Sequence, residues 1–167
     1  MSGTSGLGPD TRFPERKHLR RLERIFVSGA PIYYLTVCVH KRRPLLTRPA
    51  AADVLVEQWH RARELHQWVV GRYVVMPDHV HFFASPAGDE AKPLSGFMNY
   101  WKRSTALYLR RICSGFSWQK EFFDHLLRSA DSYEQKWLYV RENPVRKGLA
   151  TCADDWPYQG EIGELTW

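Results

Sequence analysis

Two periods of hydrophobic and polar positions divide the chain into predicted strands and helices. Three runs dense in β-branched and aromatic residues, at 32–39, 68–75 and 79–84, predict strands. Two segments, 49–66 and 93–112, repeat apolar residues every three or four positions and predict long amphipathic helices. Pro77-Asp78 supplies turn chemistry between the second and third runs, so these two strands are expected to form a hairpin.

The pattern continues in weaker form after residue 113. Residues 118–127 predict a short fourth strand, and Asp131 followed by Glu134 resembles a capping box that opens a third helix. This helix is expected to end at Asn143, because Pro144 disfavours helical geometry in the residue before it.

The predicted order β-α-β-β-α-β with a terminal helix indicates the α+β class, with a ferredoxin-like antiparallel sheet and two helices on one face. A chain of 167 residues fits one domain. We expect that domain over 25–167, after a flexible basic arm at 1–24. Its short acidic tail, from residue 151, is expected to pack as irregular chain through Trp156 and Tyr158.

The composition excludes several classes of protein. No apolar stretch approaches the roughly 18 residues of a membrane span, and the N-terminus lacks the apolar block of a secretion signal. We therefore expect a soluble cytoplasmic protein. Three cysteines, far apart and odd in number, suggest neither a disulfide framework nor a paired-cysteine zinc site.

Positive charge is concentrated near the N-terminus. The chain carries +6 in total, but residues 11–48 alone hold ten Lys and Arg against two Glu, a net +8. Lys and Arg displace the counterions condensed on nucleic acid phosphates, so this segment indicates contact with a polyanion. A solvated, solubilising face is the alternative interpretation.

His79 and His81 are a candidate pair of metal ligands. Strand side chains alternate, so both imidazoles emerge on one face, with Cα atoms ~6.6 Å apart. Surface or core histidines also occur in this pattern, and two ligands leave a metal site incomplete. The polar side of the third predicted helix offers Tyr139 and, one turn later, Asn143, whose phenol and amide can address one point in space.

Three motifs in this order resemble a known family. Met76-Pro77-Asp78-His79-Val80-His81-Phe82, Trp118-Gln119 with Phe123-Asp124-His125, and Tyr139-Val140-Arg141-Glu142-Asn143-Pro144-Val145 are similar to the REP-associated tyrosine transposases. These belong to the HUH superfamily of single-strand DNA endonucleases and are related to the small tyrosine transposases of single-stranded insertion sequences. The resemblance covers roughly residues 21–156.

The resemblance implies a role for each site residue. His79 and His81 would be the paired metal ligands, Asn143 the third, amide-type ligand, and Tyr139 the nucleophile of a 5′-phosphotyrosine intermediate. Mg²⁺ and Mn²⁺ both suit such a ligand set. Glu142, where the family commonly has an apolar residue, is a competing ligand. For His125 we favour a structural role, with a hydrogen bond to the backbone.

The implied partner is single-stranded DNA folded into palindromic (REP-type) hairpins, with no membrane involved. The side chains expected to follow its phosphates are Arg16, Lys17, Arg20, Arg21, Arg24, Lys41, Arg42, Arg43, Lys102 and Arg103, with Arg110 and Arg111 beside the last pair. Exposed Trp or Tyr rings would stack on unpaired bases.

Three questions stay open at this point. Another HUH class, a replication initiator or relaxase, fits less well, because the chain is short and offers one tyrosine in place of a nearby pair. A non-catalytic nucleic-acid-binding module or repressor on a ferredoxin-like scaffold is the alternative from a different class. The resemblance favours a monomer, although some relatives exchange the tyrosine helix between two subunits.

Overall fold

Residues 30–165 are described by the computed structural model, and they form one antiparallel sheet with helices on both faces. The strands are β1 (Tyr33–Cys38), β2 (Trp68–Met76), β3 (His79–Pro86), β4 (Phe123–Leu126) and β5 (Gln159–Glu161). The helices are α1 (Pro49–His66), α2 (Leu94–Ile112), α3 (Ala130–Arg141) and α4 (Asn143–Arg146). The predicted basic arm at 1–24 and the predicted domain start at Ile25 lie outside the described residues.

The sheet has the strand order β4-β1-β3-β2-β5, and each neighbouring pair is antiparallel. The first four strands follow the ferredoxin-like arrangement that the β-α-β-β-α-β pattern predicts. β2 and β3 form the predicted hairpin. In the centre of the sheet, Thr36 of β1 pairs with His81 of β3, and Cys38 pairs with His79.

Each face of the sheet buries its own hydrophobic cluster, because neighbouring strand residues point to opposite faces. Phe82 packs with α1 and α2, where the indoles of Trp59 and Trp101 stack at 5.5 Å. Phe83 points to the other face and meets Tyr133 of α3 edge to face at 4.9 Å. Two helices on one face were predicted, and α3 covers the face that carries the histidines.

The fourth strand is shorter than predicted. Only Phe123–Leu126 pairs with β1, whereas Trp118 makes a single isolated bridge to Val39. The carbonyls of Gln119 and Lys120 accept hydrogen bonds from the Lys102 ammonium of α2, at 2.7 and 2.6 Å. These carbonyls are therefore satisfied by a helix side chain, and the chain leaves the sheet between residues 118 and 123.

The ends of α3 also differ from the prediction. Ser129 is the N-cap, and the capping box is formed by Ser129 and Ser132, each side chain accepting from the other's backbone N–H. The predicted pair was wrong: Glu134 is instead in an ion pair with Arg72 at 2.9 Å. α3 ends at Arg141, and a new short helix starts at Asn143 with proline in its first turn, where a missing N–H costs nothing.

The acidic tail is not irregular throughout. It contains a 3₁₀ turn at Ala153–Asp155 and the strand β5, which pairs with β2 through Val74 opposite Gln159. Trp156 is buried as predicted, and its indole N–H donates to the carbonyl of Val75 at 3.0 Å. β5 covers the hydrogen-bonding edge that β2 would otherwise expose. Within residues 30–165, no helix is long and apolar enough to cross a membrane.

Candidate metal and nucleophile site

The two histidines of β3 face each other on the α3 side of the sheet. Both side chains are largely buried, and their Nε2 atoms lie 3.1 Å apart with the rings nearly perpendicular. β3 places them on one face because they are two residues apart on a strand, as the sequence predicts. Two nitrogen lone pairs at this distance repel unless a proton or a cation lies between them.

The other ring nitrogen of His79 is held by a carboxylate. Nδ1 lies 2.6 Å from Oδ1 of Asp78, whose Oδ2 is 2.7 Å from Nε of Arg42. Burial would raise the pKa of Asp78, but the His79 hydrogen bond and the charges of His79 and Arg42 offset this and lower it. Asp78 is therefore an acceptor that keeps the proton of His79 on Nδ1 and leaves Nε2 free for a ligand.

His81 is held by two hydroxyl groups of β1. Its Nδ1 lies 2.8 Å from the oxygens of both Tyr34 and Thr36. Burial, followed by the positive charges of His79, Arg42 and Arg146, lowers the pKa of His81 well below its usual value. Burial also raises the pKa of Tyr34 to about 12, so this hydroxyl stays protonated. His81 is thus a neutral imidazole at neutral pH.

The donor set of the two imidazoles fits a divalent cation. Bonds of about 2.1 Å from one ion to two nitrogens 3.1 Å apart subtend about 95°, close to the 90° of octahedral coordination. A third ligand is less well placed. Among residues 30–165, no three His, Cys, Asp or Glu side chains are grouped so that they could hold a metal ion. The exposed Glu142, the competing ligand, therefore does not complete a site with the two histidines.

Asn143, the predicted third ligand, is engaged elsewhere. Its Oδ1 accepts a hydrogen bond from Nη2 of Arg146, and no hydrogen bond within the described part of the chain joins it to either histidine. The break between α3 and α4 at Glu142 separates Asn143 from the helix that carries Tyr139.

Tyr139 projects from the exposed side of α3, with 59% of its surface accessible. The Lys136 ammonium lies 5.7 Å from the centre of its ring and 5.3 Å from the ring of Tyr34, which in turn stacks on His81 at 5.6 Å. The phenol and the two imidazoles are therefore on the same side of the sheet. The exposure leaves the phenol accessible to a large substrate.

Sequence reasoning missed the two cations that flank Tyr139. Arg146 lies over the Tyr139 ring at 4.1 Å and donates to the Tyr139 carbonyl at 2.6 Å, in the last turn of α3, where helix carbonyls lack partners. Lys136 is three residues before Tyr139 and Arg146 three after Asn143. A spacing of three residues places Lys136 and Tyr139 on one face of α3, so this signal could have identified Lys136. Arg146 belongs to α4, and its contact with Tyr139 depends on the break between the two helices.

The structure distributes the predicted phosphate-binding residues unevenly. Lys41 and Arg43 are exposed, Arg42 is in the ion pair with Asp78, and Lys102 binds two carbonyls as described above. Arg103 is exposed on α2, on the face of the sheet opposite the histidines. The five predicted residues of the arm lie outside the described part: Arg16, Lys17, Arg20, Arg21 and Arg24.

His125 does not make the backbone hydrogen bond that we expected for it. This residue is exposed on β4, where it pairs with Tyr34 of β1. Within residues 30–165, its imidazole has no hydrogen-bond partner. The edge position of β4 explains the exposure, because among the strands of residues 30–165 it has a neighbour on one side only.

Comparison with known proteins identifies the family of this chain. The family described as "Transposase IS200 like" matches residues 30–143, a range that includes both histidines, Tyr139 and Asn143. A REP-associated tyrosine transposase from Escherichia coli (strain K12) is 23% identical over 136 residues, covering 81% of this chain and 78% of the relative. A relative from Haemophilus influenzae is 24% identical over 150 residues, covering 81% of each chain.

Two solved structures share the fold. A REP-associated tyrosine transposase bound to a REP hairpin superposes with a TM-score of 0.65 at 20% identity, covering 86% of this chain and 93% of the other. A structure from Deinococcus radiodurans has a TM-score of 0.52 at 18% identity, covering 71% and 94%. The family match spans more than half of the sequence, and the chain therefore belongs to the IS200-like transposase family and is similar to REP-associated tyrosine transposases over most of its length.

Proposed function

We propose that this chain is a metal-dependent single-stranded DNA endonuclease and strand transferase that acts in the cytoplasm on hairpin-forming palindromic DNA of the REP type. The observation that carries the proposal is the pair of Nε2 atoms 3.1 Å apart on the side of the sheet where the exposed Tyr139 lies. Membership of a transposase family supports it, as does a structural neighbour that is bound to a REP hairpin.

His79, His81 and Asn143 would hold Mg²⁺ or Mn²⁺. When bound, the ion supplies Lewis acid chemistry, because it neutralises the phosphate oxygens and polarises the phosphorus. Asp78 keeps Nε2 of His79 available, and the hydroxyls of Tyr34 and Thr36 do the same for His81. Arg146 is exposed and binds the Tyr139 carbonyl and Asn143 through Nη2 alone, so its other N–H groups can pair with a phosphate oxygen.

Tyr139 is the nucleophile in this proposal. Its phenol oxygen attacks the phosphorus, the bond between phosphorus and the 3′-oxygen breaks, and the phenolic proton leaves while the 3′-oxygen gains one. The products are a 5′-phosphotyrosine and a free 3′-hydroxyl. One phosphoester replaces another, so the reverse reaction joins strands without ATP.

Two contacts of α3 support a tyrosine that acts on its own subunit's site. Tyr133 packs on Phe83 of the same chain's sheet, and Arg72 pairs with Glu134. The helix is therefore docked on the sheet that carries the histidines, which supports the proposal that a monomer carries out the reaction. Exchange of the helix between two subunits would have to break these contacts.

The direct test incubates a 5′- and 3′-flanked hairpin oligonucleotide with the protein and Mn²⁺ and separates the products on a denaturing gel. We expect the downstream (3′-side) fragment to be linked to the protein through its 5′-phosphate, and the upstream (5′-side) fragment to be released with a free 3′-hydroxyl. Labelling each end of the oligonucleotide separately shows which fragment is linked to the protein. DNA binding without any linked fragment, in Mn²⁺ and in Mg²⁺, would contradict the catalytic proposal.

DNA binding without a covalent product is the result expected for a second candidate function. A non-catalytic DNA-binding repressor is favoured by one observation: Oδ1 of Asn143 is bonded to Arg146, so the described residues present only two metal ligands. A repressor would bind the hairpin equally well with and without a divalent cation. An endonuclease would require the cation for cleavage.

Asp78 is expected to control the affinity of the metal site. Asp78→Asn removes the carboxylate that orients His79, and we expect the Mn²⁺ dissociation constant to rise about 10- to 100-fold. Isothermal titration with Mn²⁺ at fixed pH measures it. Asp89→Asn, in an exposed loop, is the matched control. Equal affinities in Asp78→Asn and wild type would mean that Asp78 serves only as the partner of Arg42.

The basic arm is expected to supply part of the DNA affinity. Deleting residues 1–24 removes six Lys and Arg, so hairpin binding should weaken and the slope of log affinity against log salt should flatten. Fluorescence anisotropy at several salt concentrations measures both. Deletion of residues 1–10, which contain no Lys or Arg, is the control. An unchanged slope after the longer deletion would exclude phosphate contacts by the arm.

A further inference from the structure

An exposed aromatic ring lies on the same side of the sheet as the histidines and takes no part in the reaction proposed above. Phe123 is 55% exposed on β4, the edge strand of the sheet. Thr36 of β1 pairs with His81 on one side and with Phe123 on the other. Cross-strand partners point to the same face, so Phe123, Thr36 and His81 form a row across the sheet on the histidine side.

The row gives the separation between the backbones of Phe123 and of His81, one of the proposed metal ligands. Two strand spacings separate the backbones of Phe123 and His81, which amounts to about 10 Å. One nucleotide, extended from its phosphate to its base, can bridge a separation of this order. A phosphate held at the histidines would therefore bring the base of an adjacent nucleotide over Phe123.

Phe123 is supported by rigid neighbours. The ring of Tyr34 meets it nearly edge-on at 6.1 Å, and Tyr34 is itself held by its hydrogen bond to His81 and its contact with Phe83 at 5.4 Å. A ring with such support loses little conformational freedom when a ligand stacks on it. Phe123 is 55% exposed, and no strand among residues 30–165 pairs with the outer edge of β4.

Cations on the same side of the sheet favour a nucleic acid over an apolar partner. The Lys136 ammonium lies 5.3 Å from the Tyr34 ring, and Arg146 lies over Tyr139 on the same side of the sheet. Exposed aromatic rings beside a row of cations are the usual surface for single-stranded nucleic acid, where bases stack and phosphates pair with Lys or Arg.

We infer that Phe123 is the stacking platform for an unpaired base next to the scissile phosphate of single-stranded DNA. This inference rests on the proposed function, because it places the phosphate at the histidines. It assigns base stacking to a phenylalanine, whereas the sequence favoured Trp or Tyr. In this inference, Phe123 positions the DNA strand by stacking on one base, while Tyr139 and the histidines act on the adjacent phosphate.

The test places 2-aminopurine at one unpaired position at a time beside the foot of the hairpin oligonucleotide. The wild-type protein is added in EDTA, which prevents cleavage, and fluorescence is recorded. We expect quenching at one or two positions adjacent to the cleavage site. Phe123→Leu should abolish this quenching and weaken binding about tenfold, and Phe123→Trp should restore both.

A matched control removes an equally exposed side chain elsewhere. Leu107 is also 55% exposed, on α2, and Leu107→Ala should leave quenching and affinity unchanged. A thermal unfolding midpoint equal to that of wild type verifies that Phe123→Leu is folded. Quenching in Phe123→Leu identical to wild type at every position would overturn the inference.

Failure of the inference and failure of the proposed function give different results. If Phe123→Leu and wild type quench alike and both form the covalent adduct, the stacking assignment is wrong and the enzyme stands. If quenching depends on Phe123 but no adduct forms in Mn²⁺, the platform stands and the catalytic proposal fails. If neither is seen, both are wrong.

Discussion

Tyr139→Phe is expected to eliminate the covalent protein–DNA product and to lower hairpin cleavage by a factor on the order of 10⁴ or more, because it deletes the oxygen proposed to attack the phosphorus. The substitution keeps the ring over which Arg146 lies, so the local packing is preserved. The side chain is 59% exposed, and we expect no loss of stability. Denaturing gels with end-labelled hairpin measure adduct and cleavage together.

Measuring DNA affinity distinguishes a nucleophilic role of Tyr139 from a role in binding the DNA. Anisotropy should give a Tyr139→Phe dissociation constant within about twofold of wild type, since phosphate contacts supply most of the affinity. Tyr108→Phe is the control, because this tyrosine is partly exposed on α2, on the other side of the sheet. Cleavage by Tyr139→Phe at the wild-type rate would show that another group or water attacks the phosphorus.

His79→Ala is expected to lower cleavage about 10³-fold, the size of effect for losing several kcal/mol of Lewis acid stabilisation in the transition state. One of the two facing Nε2 atoms is removed, and a single imidazole does not retain the ion. Wild-type protein in EDTA should show the same loss. The loss is measured from cleavage rates at increasing Mn²⁺ concentration. Excess Mn²⁺ should restore cleavage by the EDTA-treated wild type but not by His79→Ala.

A control histidine is available on the same face of the sheet. His125 is exposed and makes no hydrogen bond within residues 30–165, so His125→Ala should leave cleavage within about twofold. Hairpin binding by His79→Ala should remain close to wild type. Equal losses of binding and cleavage would instead identify His79 as a structural residue, one that holds Asp78 and Arg42 in place.

The fold was predictable where the hydrophobic period was strong. The helix predicted over 49–66 is observed at Pro49–His66, and the strands of the hairpin differ from the prediction at their ends only. Prediction failed where a polar side chain decided the outcome. The Lys102 ammonium takes two carbonyls from the predicted fourth strand, and Ser129 and Ser132 cap α3 in place of Asp131 and Glu134.

The candidate site also has a part that the sequence predicts and a part that depends on distant residues. Alternation along a strand places His79 and His81 on one face, and helical spacing places Tyr139 on the polar side of its helix. The environment of these residues depends on other strands. Tyr34 and Thr36, which hold His81, are about 45 residues away in sequence, and Arg42 is 37 residues from His79.

By itself, the sequence determined the α+β order of elements, the shared face of the two histidines and the family motifs, because each depends on local spacing. Only the tertiary structure decided that Arg146 of α4 lies over the ring of Tyr139 on α3, and that Phe123 lies in one row with His81. These contacts join residues on separate elements, and strand register and helix docking bring them together.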